Sequence, residues 1–314
     1  MSESQVSHLV AELYARAMID IPKDVEDALR AMHESETSEW SHEVLGGLVD
    51  NLQVARERRL VICQDNGVNA HYVRYGTGAV FQGDWREAFA GGVRRATQEV
   101  PLRPTAVDPI TRENREDNTA RGVPLIDVEM ISGADWIEIT TVPKGFGSEN
   151  MSQLAMLNPS DGLDGVKQFV LEAVVTAGGR PCPPVVLGVG VGGTFEKVAL
   201  MAKKAAVLRR IGDRHPEAHI AELEIELLTR VNALGIGPFG LGGDTTAMDV
   251  HIEYAGTHIA GNPVAVNFQC WPARAATARI YNDGRIERLI DGEWLKDKWS
   301  GKQDSPALAA SAIE

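Results

Sequence analysis

Apolar residues recur at helical spacing through the first 58 residues of the chain. Leu9 and Leu13 stand four positions apart, and polar residues fill most of the positions around such pairs. Similar patterns follow over residues 25–32 and 44–55. We therefore predict a helical N-terminal region of three helices over residues 1–58.

After residue 58, short apolar runs alternate with helical patterns, and the last third of the chain is rich in strand-like runs. This alternation predicts an α/β fold: a helical N-terminal region followed by mixed α/β structure. The predicted strands cover residues 60–63, 123–131, 136–142, 183–189, 250–254, 264–270, 277–281 and 286–290, and the predicted helices cover residues 84–100, 161–177, a stretch ending near residue 210, and 215–234. We assign residues 59–297 to this α/β domain and residues 298–314, which are polar and rich in Ala and Ser, to a flexible tail.

The chain is acidic, with 31 Lys and Arg against 44 Asp and Glu and a formal net charge of −13 over 314 residues. Such a charge repels a phosphate backbone, and the sequence contains no basic cluster that would overcome the repulsion. The composition therefore argues against nucleic acid as a partner.

The sequence shows no leader segment, membrane span or disulfide framework. The first residues form neither a basic segment nor an apolar one, and no stretch approaches the roughly 18 apolar residues that cross a bilayer. Three cysteines are too few and too scattered for a disulfide scaffold, so a reducing compartment fits better. We expect a cytoplasmic protein with no membrane partner.

Each cysteine ends or adjoins a predicted strand and is followed at once by residues typical of turns. Taken singly, Cys63, Cys182 and Cys270 are best interpreted as small buried apolar residues. The paired spacing of a structural zinc site is missing. Three isolated thiolates suit an iron–sulfur cluster with one open iron, but the spacing alone only suggests it.

The glycine-rich run over residues 188–193 satisfies the pattern G-x-G-x-x-G after a predicted strand. The acidic residue that would hold a ribose about twenty residues further on is missing, since a turn over residues 209–216 occupies that place. Two interpretations remain open: close packing of a strand on a helix, or a helix N-terminus facing an anion or a cluster.

An acidic protein that handles an anionic substrate needs a few cations that converge on the site. Arg103, Lys144 and His258 are candidates because they stand near turns or cysteine-bearing strands. A lone cation is more often a solvated surface group. No motif of a serine hydrolase, a zincin or a P-loop protein is present.

The combined motifs resemble the class I fumarase family, in particular the alpha subunit of iron–sulfur fumarate and L(+)-tartrate hydro-lyases. The resemblance extends from about residue 21 to residue 280. It is carried by Cys63-Gln64-Asp65-Asn66-Gly67, by Pro181-Cys182-Pro183-Pro184 with the glycine-rich run, by Gly240-Leu241-Gly242-Gly243-Asp244-Thr245-Thr246, and by His258 twelve residues before Cys270.

The resemblance implies a [4Fe-4S] cluster whose fourth iron binds the substrate. The implied cluster ligands are Cys63, Cys182 and Cys270, the implied substrate-binding residues are Gln64, Arg103, Gly145 and Gly147, and the implied catalytic residues are Asp65 and His258. Two positions depart from the family pattern: Asn66 replaces a threonine, and Ala275 stands where a second arginine often follows Arg274.

The resemblance also implies a second portion of the active site that this chain lacks. We therefore expect a separate beta subunit, a hetero-oligomer and a principal base supplied by that partner. The implied reaction is reversible hydration of a small dicarboxylate, most simply fumarate to (S)-malate, with L(+)-tartrate dehydration as the alternative. A redox-sensing iron–sulfur protein and a nucleotide-binding oxidoreductase remain rival hypotheses.

Overall fold

The computed structural model describes residues 1–296, so the predicted tail over residues 298–314 lies outside the described residues. The fold is α/β, as predicted, and the three N-terminal helices are confirmed. The helices are α1 (Glu3–Ile19), α2 (Lys23–Ser35), α3 (Glu39–Arg58), α4 (Trp85–Glu99), α5 (Phe146–Glu149), α6 (Gly162–Ala177), α7 (Phe195–Leu208) and α8 (Ala218–Asn232). Among the described helices, none combines the length and the apolar character needed to cross a bilayer.

The strands form two mixed sheets. They are β1 (Val68–Gly76), β2 (Leu125–Ile131), β3 (Trp136–Lys144), β4 (Gln153–Leu157), β5 (Val185–Gly192), β6 (Ala247–Ala255), β7 (Asn262–Gln269), β8 (Ala276–Tyr281), β9 (Ile286–Ile290) and β10 (Glu293–Leu295). The first sheet has the order β10-β9-β8-β3-β1-β2, and the second has the order β4-β7-β5-β6. Because β7 belongs to the second sheet and β8 to the first, the segment between them joins the two sheets.

Helix α1 begins at a capping box, in which the Ser2 side chain accepts from the Gln5 N–H and the Gln5 side chain accepts from the Ser2 N–H. Its apolar face packs with α4 against β3 and β8 of the first sheet. Helices α2 and α3 instead share a core with Met248 and Trp271. The N-terminal helices thus contact both sheets, while the division at residue 58 stays a prediction.

All but the last residue of the glycine-rich run lies inside β5, where it allows close contact with α7. A Cβ at Gly188 would lie 1.9 Å from the Ala202 carbonyl oxygen, and a Cβ at Gly190 would lie 2.3 Å from the Val198 carbonyl oxygen. Glycine is therefore required by the packing of strand on helix. Of the two interpretations left open, this one is supported by the structure.

The predicted strand over residues 60–63 is wrong. Arg59 ends α3 in the left-handed conformation, and the next residues form no ladder. The Ile62 N–H donates to the Met18 carbonyl at 2.9 Å, and the Asn51 side chain donates to the Ile62 carbonyl at 2.9 Å. Helix contacts thus satisfy this segment, and the strand begins at Val68.

Candidate active site

The three cysteines lie on three different connections of the fold. Cys63 lies between α3 and β1, Cys182 lies between α6 and β5, and Cys270 directly follows β7. All three are free, half-buried thiols. The Trp271 N–H donates to the Cys182 carbonyl at 3.2 Å, which joins two of these connections directly.

The three thiols lie close enough to influence one another electrostatically. Burial raises the pKa of the Cys182 thiol to about 11, with further contributions from Cys270, Cys63 and Asp65. Burial also raises the pKa of the Cys270 thiol, against the positive charges of Arg274 and Lys144. Raised pKa values favour the neutral thiols in the metal-free chain, so thiolates at these positions would need a positive partner, and a metal centre supplies one.

Cys182 adopts a backbone conformation that is rare for a residue with a side chain. Its φ is +57°, in the left-handed region. Its N–H donates to the Gly179 carbonyl at 3.2 Å, which closes the turn between α6 and β5. Such strain at a non-glycine residue is common at functional sites because the surrounding structure must enforce it.

Asp65 is held rigidly beside Cys270. Its carboxylate accepts from the Gly67 N–H at 2.9 Å and from the Phe146 N–H at 3.0 Å. A Cβ at Gly145 would lie 3.2 Å from the Cys270 sulfur and 3.3 Å from an Asp65 carboxylate oxygen. The structure therefore brings Asp65, Gly145 and Cys270 together, and the absent side chain leaves room between them.

Gly147 lies on the same loop, facing the connection that carries Cys182. A Cβ there would approach the Arg180 carbonyl oxygen to 3.2 Å. Gly145 and Gly147 thus face Cys270 and the Cys182 connection, respectively. This arrangement places the predicted glycine loop within the candidate site.

Gln64 and Arg103 are exposed, and within residues 1–296 neither side chain has a hydrogen bond or an ion pair. The Thr105 hydroxyl donates to the Gly67 carbonyl at 2.7 Å, which places the Arg103 segment beside the one that carries Gln64 and Asp65. Both side chains are therefore available to a ligand at the edge of the site. A guanidinium of this kind suits a carboxylate.

Asn66, one of the two departures from the family pattern, turns away from the site. It is 1% exposed, and its amide nitrogen lies 3.2 Å from the Tyr14 hydroxyl and 3.3 Å from both Thr105 and Asn118 side-chain oxygens. The departure therefore concerns a buried polar network rather than a group that faces a ligand.

Lys144, a sequence candidate for a substrate cation, is buried instead. It is 1% exposed, and its ammonium group donates to the Ser148 hydroxyl at 2.8 Å and to the Phe268 carbonyl at 2.6 Å. Burial lowers its pKa, while Glu149 and Cys270 act in the opposite direction. Because its ammonium group is already hydrogen-bonded within the protein, Lys144 has a structural role beside the site and is not a free cation for a substrate.

His258 lies at the opposite end of β7 from Cys270. It is exposed in the loop before β7, whereas Cys270 follows the last residue of that strand. The eight residues of β7 span about 26 Å at about 3.3 Å per residue. The structure therefore does not bring His258 to the cysteines of its own chain.

Sequence reasoning missed Arg274 as a site residue. It is 1% exposed, and its guanidinium donates to the Asp65 carbonyl oxygen at 2.6 Å. Its position four residues after Cys270 and its place in the family pattern were the signals in the sequence, and neither indicates a bond to a main-chain carbonyl.

The donor set fits an iron–sulfur cluster better than a single metal ion. Among residues 1–296, no three His, Cys, Asp or Glu side chains lie close enough to share one ion. Cluster thiolates each bind a different iron, so they stand further apart than the ligands of one ion. Three soft thiols beside the open space at Gly145 are the type of donor that such a cluster takes.

Comparison with known proteins now defines the class of this protein. Residues 7–279 match the family described as "Fumarate hydratase (Fumerase)". A "Putative L(+)-tartrate dehydratase subunit alpha" of Methanocaldococcus jannaschii is 47% identical over 285 residues, which cover 90% of this chain and 100% of that protein. An "L(+)-tartrate dehydratase subunit alpha" of Escherichia coli K12 is 35% identical over 286 residues, which cover 91% of this chain and 94% of the relative.

These matches define a carbon–oxygen lyase of the hydro-lyase type. The chain belongs to the class I fumarate hydratase family, and the resemblance seen in its sequence motifs is confirmed.

Proposed function

We propose that this chain is the cluster-bearing alpha subunit of an enzyme that interconverts fumarate and (S)-malate by addition and removal of water. The observation that carries the proposal is that Cys63, Cys182 and Cys270, which lie on three separate connections, influence one another electrostatically, with the Asp65 carboxylate and the Cys270 sulfur both beside Gly145. The proposed ligands of a [4Fe-4S] cluster are these three thiolates. When bound, the cluster supplies a Lewis acid that polarises the substrate hydroxyl.

In this proposal Asp65 holds or moves a proton at the substrate. Two main-chain N–H groups fix its carboxylate, and each carboxylate oxygen keeps further acceptor capacity for a substrate hydroxyl. This fixed orientation lowers the entropy that a catalytic group would otherwise lose. General acid–base catalysis by such a group contributes about 10²–10⁴-fold to a rate.

Gln64 and Arg103 bind the substrate in this proposal. Their side chains are exposed and unpaired among the described residues, and their segments adjoin at Thr105. Arg103 can form two parallel hydrogen bonds with a carboxylate, while Gly145 and Gly147 let the substrate approach the main chain. A dicarboxylate suits this arrangement, because one carboxylate can bind Arg103 while the other approaches the main chain at Gly145 and Gly147.

A separate beta subunit completes the site in this proposal. The relatives are named alpha subunits, and the rim of this site is exposed on the side of Gln64 and Arg103. Phe146 and Phe239, 45% and 38% exposed, adjoin the same site. Such aromatic groups are typical of the centre of an interface. A cytoplasmic location rests on the sequence signals alone.

We propose that His258 has its catalytic role at the active site of another copy of the chain. Because about 26 Å of β7 separate it from Cys270, it acts at a site whose cysteines belong to another copy of the chain. The proposal therefore requires an assembly that contains more than one alpha subunit.

L(+)-tartrate is the second candidate substrate, and the names of the relatives favour it. Tartrate differs from malate by one hydroxyl group. A site that hydrogen-bonds this hydroxyl would discriminate strongly against malate, because its own polar groups would then stay unpaired.

The experiment is anaerobic reconstitution of the co-expressed complex, followed by assays of malate and L-tartrate without nucleotide. We expect a larger kcat/KM for malate. A preference for tartrate of about 10²-fold or more would replace fumarate by tartrate in the proposal. Bound cluster without turnover of any dicarboxylate would favour a redox sensor, and strict dependence on a nucleotide would favour an oxidoreductase.

A further inference from the structure

Arg274 is a buried arginine in the connection that joins the two sheets. It follows Cys270 by four residues, precedes β8, and is 1% exposed. Arginine is rarely buried to this degree unless its charge is compensated. The groups around Arg274 therefore have to compensate its charge.

The guanidinium links three parts of the chain. Its Nη2 donates to the Asp65 carbonyl at 2.6 Å and approaches the Pro143 carbonyl at 3.4 Å, while its Nη1 lies 3.5 Å from the Met18 sulfur. Pro143 stands two residues before Gly145. One side chain thus connects the segments that carry Cys270, Asp65 and the glycine loop.

No carboxylate within the described residues forms an ion pair with Arg274, and its Nε has no hydrogen-bond partner there. Arg288, which is also buried, differs in this respect because it donates to the Glu12 carboxylate at 2.7 Å. Arg274 instead follows Cys270 by four residues and donates to the Asp65 main chain, so its charge lies between the segments that carry these two residues. The structure therefore leaves the balance of this charge to the anionic groups of the candidate site.

We infer that Arg274 is a positioning residue of the hydro-lyase site: it fixes the main chain of Asp65 relative to the glycine loop, and its charge balances the anionic ligand set. Only the charge-balancing role rests on the proposed function. The positioning of the Asp65 main chain is a property of the metal-free chain.

The positioning half is tested by amide hydrogen exchange in the full, metal-free chain. The reporters are the Gly67 and Phe146 N–H groups, because both donate to the Asp65 carboxylate. We expect Arg274→Met to raise their exchange rates about tenfold or more, and Arg274→Lys to raise them less. Arg288→Met, the control for loss of a buried arginine, should leave both rates unchanged.

Unchanged exchange at both amides in Arg274→Met would overturn the positioning role. Should Arg274→Met fail to fold, the same comparison between the wild type and Arg274→Lys decides: a lysine variant with wild-type exchange rates would overturn it. Neither result depends on iron, so failure of this inference is distinguishable from failure of the proposed function, which shows as a wild-type complex that binds no iron.

The charge-balancing half is tested on the reconstituted complex by the reduction potential of its cluster. A reduced cluster carries one more negative charge, so loss of a nearby cation lowers the potential. We expect a lower potential in Arg274→Met, and the wild-type value in Arg274→Lys and Arg288→Met. A wild-type potential in Arg274→Met, or an equal fall in Arg274→Lys, would contradict the role of the charge.

Discussion

The two ends of strand β7 differ in almost every physical respect. At its carboxyl end, Cys270 is packed against the glycine loop and lies in the field of two buried cations. At its amino end, His258 lies in an exposed loop in which Ile259 is 91% exposed. One strand therefore carries the packed candidate site at one end and an exposed loop at the other. The contrast is consistent with our proposal that the chain positions its own cluster ligands and that other chains complete the active site.

The largest expected effect is the loss of a thiolate at the built end. Replacing Cys63, Cys182 or Cys270 by Ser, one at a time, should reduce bound iron and lower kcat/KM by about 10³-fold or more, because two soft ligands hold a cluster poorly. Iron analysis and visible absorption of the anaerobic complex check this. The control is Ser152→Ala, which changes a hydroxyl bonded to Asn267 and leaves all thiols in place. Full activity in all three cysteine variants would disprove a cluster at this site.

Substitution of Asp65 separates catalysis from cluster binding. Asp65→Asn should lower kcat about 10²–10⁴-fold while iron is retained, since the amide lacks the basic oxygen. Asp108→Asn is a matched control, because Asp108 also accepts two main-chain N–H groups, at 2.9 and 2.8 Å, in an exposed turn. Retention of wild-type kcat in Asp65→Asn would remove Asp65 from the mechanism.

Loss of His258 tests the exposed end of β7. His258→Ala should lower kcat about 10²-fold without loss of iron. His219→Ala, at a side chain that is 69% exposed, should have no effect.

A mixing experiment sharpens this test. A mixture of Cys63→Ser and His258→Ala chains should recover about a quarter of the wild-type activity, because half of random pairs contain one intact site of two. An inactive mixture would show that His258 does not act between chains.

A smaller effect is expected from crowding within the glycine loop. Gly145→Ala puts a methyl group 3.2 Å from the Cys270 sulfur and 3.3 Å from the Asp65 carboxylate, at a φ of −61° that alanine accepts readily. We expect kcat to fall about tenfold with little change in Tm. Gly47→Ala, where a Cβ meets nothing within 4 Å, is the control. Equal kinetics of the two variants would show that the space at Gly145 has no role.

The smallest expected effect is structural and depends on pH. Glu36 is 7% exposed, and burial raises its pKa. Its carboxylate also accepts hydrogen bonds from the N–H groups of Ser38, Asp244 and Thr245 and from the Thr245 hydroxyl. These hydrogen bonds outweigh burial, so the pKa is lowered overall. Its stabilisation is therefore present above the unfolded pKa of about 4.5 and is lost as the pH falls through the lower, folded value.

Glu36→Gln should accordingly cost about 1–3 kcal/mol at pH 7, and progressively less as the pH falls below the unfolded pKa of about 4.5, as measured by urea unfolding. The exposed Glu39→Gln is the control. A pH-independent cost would assign the effect to shape rather than to charge.

The candidate site residues that stand next to a cysteine along the chain could be proposed from the sequence alone. Asp65 and Gln64 follow Cys63 directly, so their placement required no knowledge of the fold. Strand β1 was missed because its buried polar residues Asn69 and His71 interrupt the apolar pattern.

Other features depend on three-dimensional relations that residue identities do not encode. The burial of Lys144 follows from its place at the end of a central strand, and the distance of His258 follows from the direction of β7. Arg274 acts on main-chain carbonyls, which every residue carries. Sequence patterns therefore predicted the candidate ligands, whereas the structure shows the contacts that surround them.

The most direct test of the central claim is the dependence of hydratase activity on bound iron. The complex of this chain with its beta subunit is assayed for conversion of (S)-malate to fumarate by absorbance, before and after anaerobic loading with iron and sulfide. We predict activity that rises in proportion to bound iron up to about four irons per alpha chain. Full activity in the iron-free complex, or none in the fully loaded one with any dicarboxylate, would contradict the account.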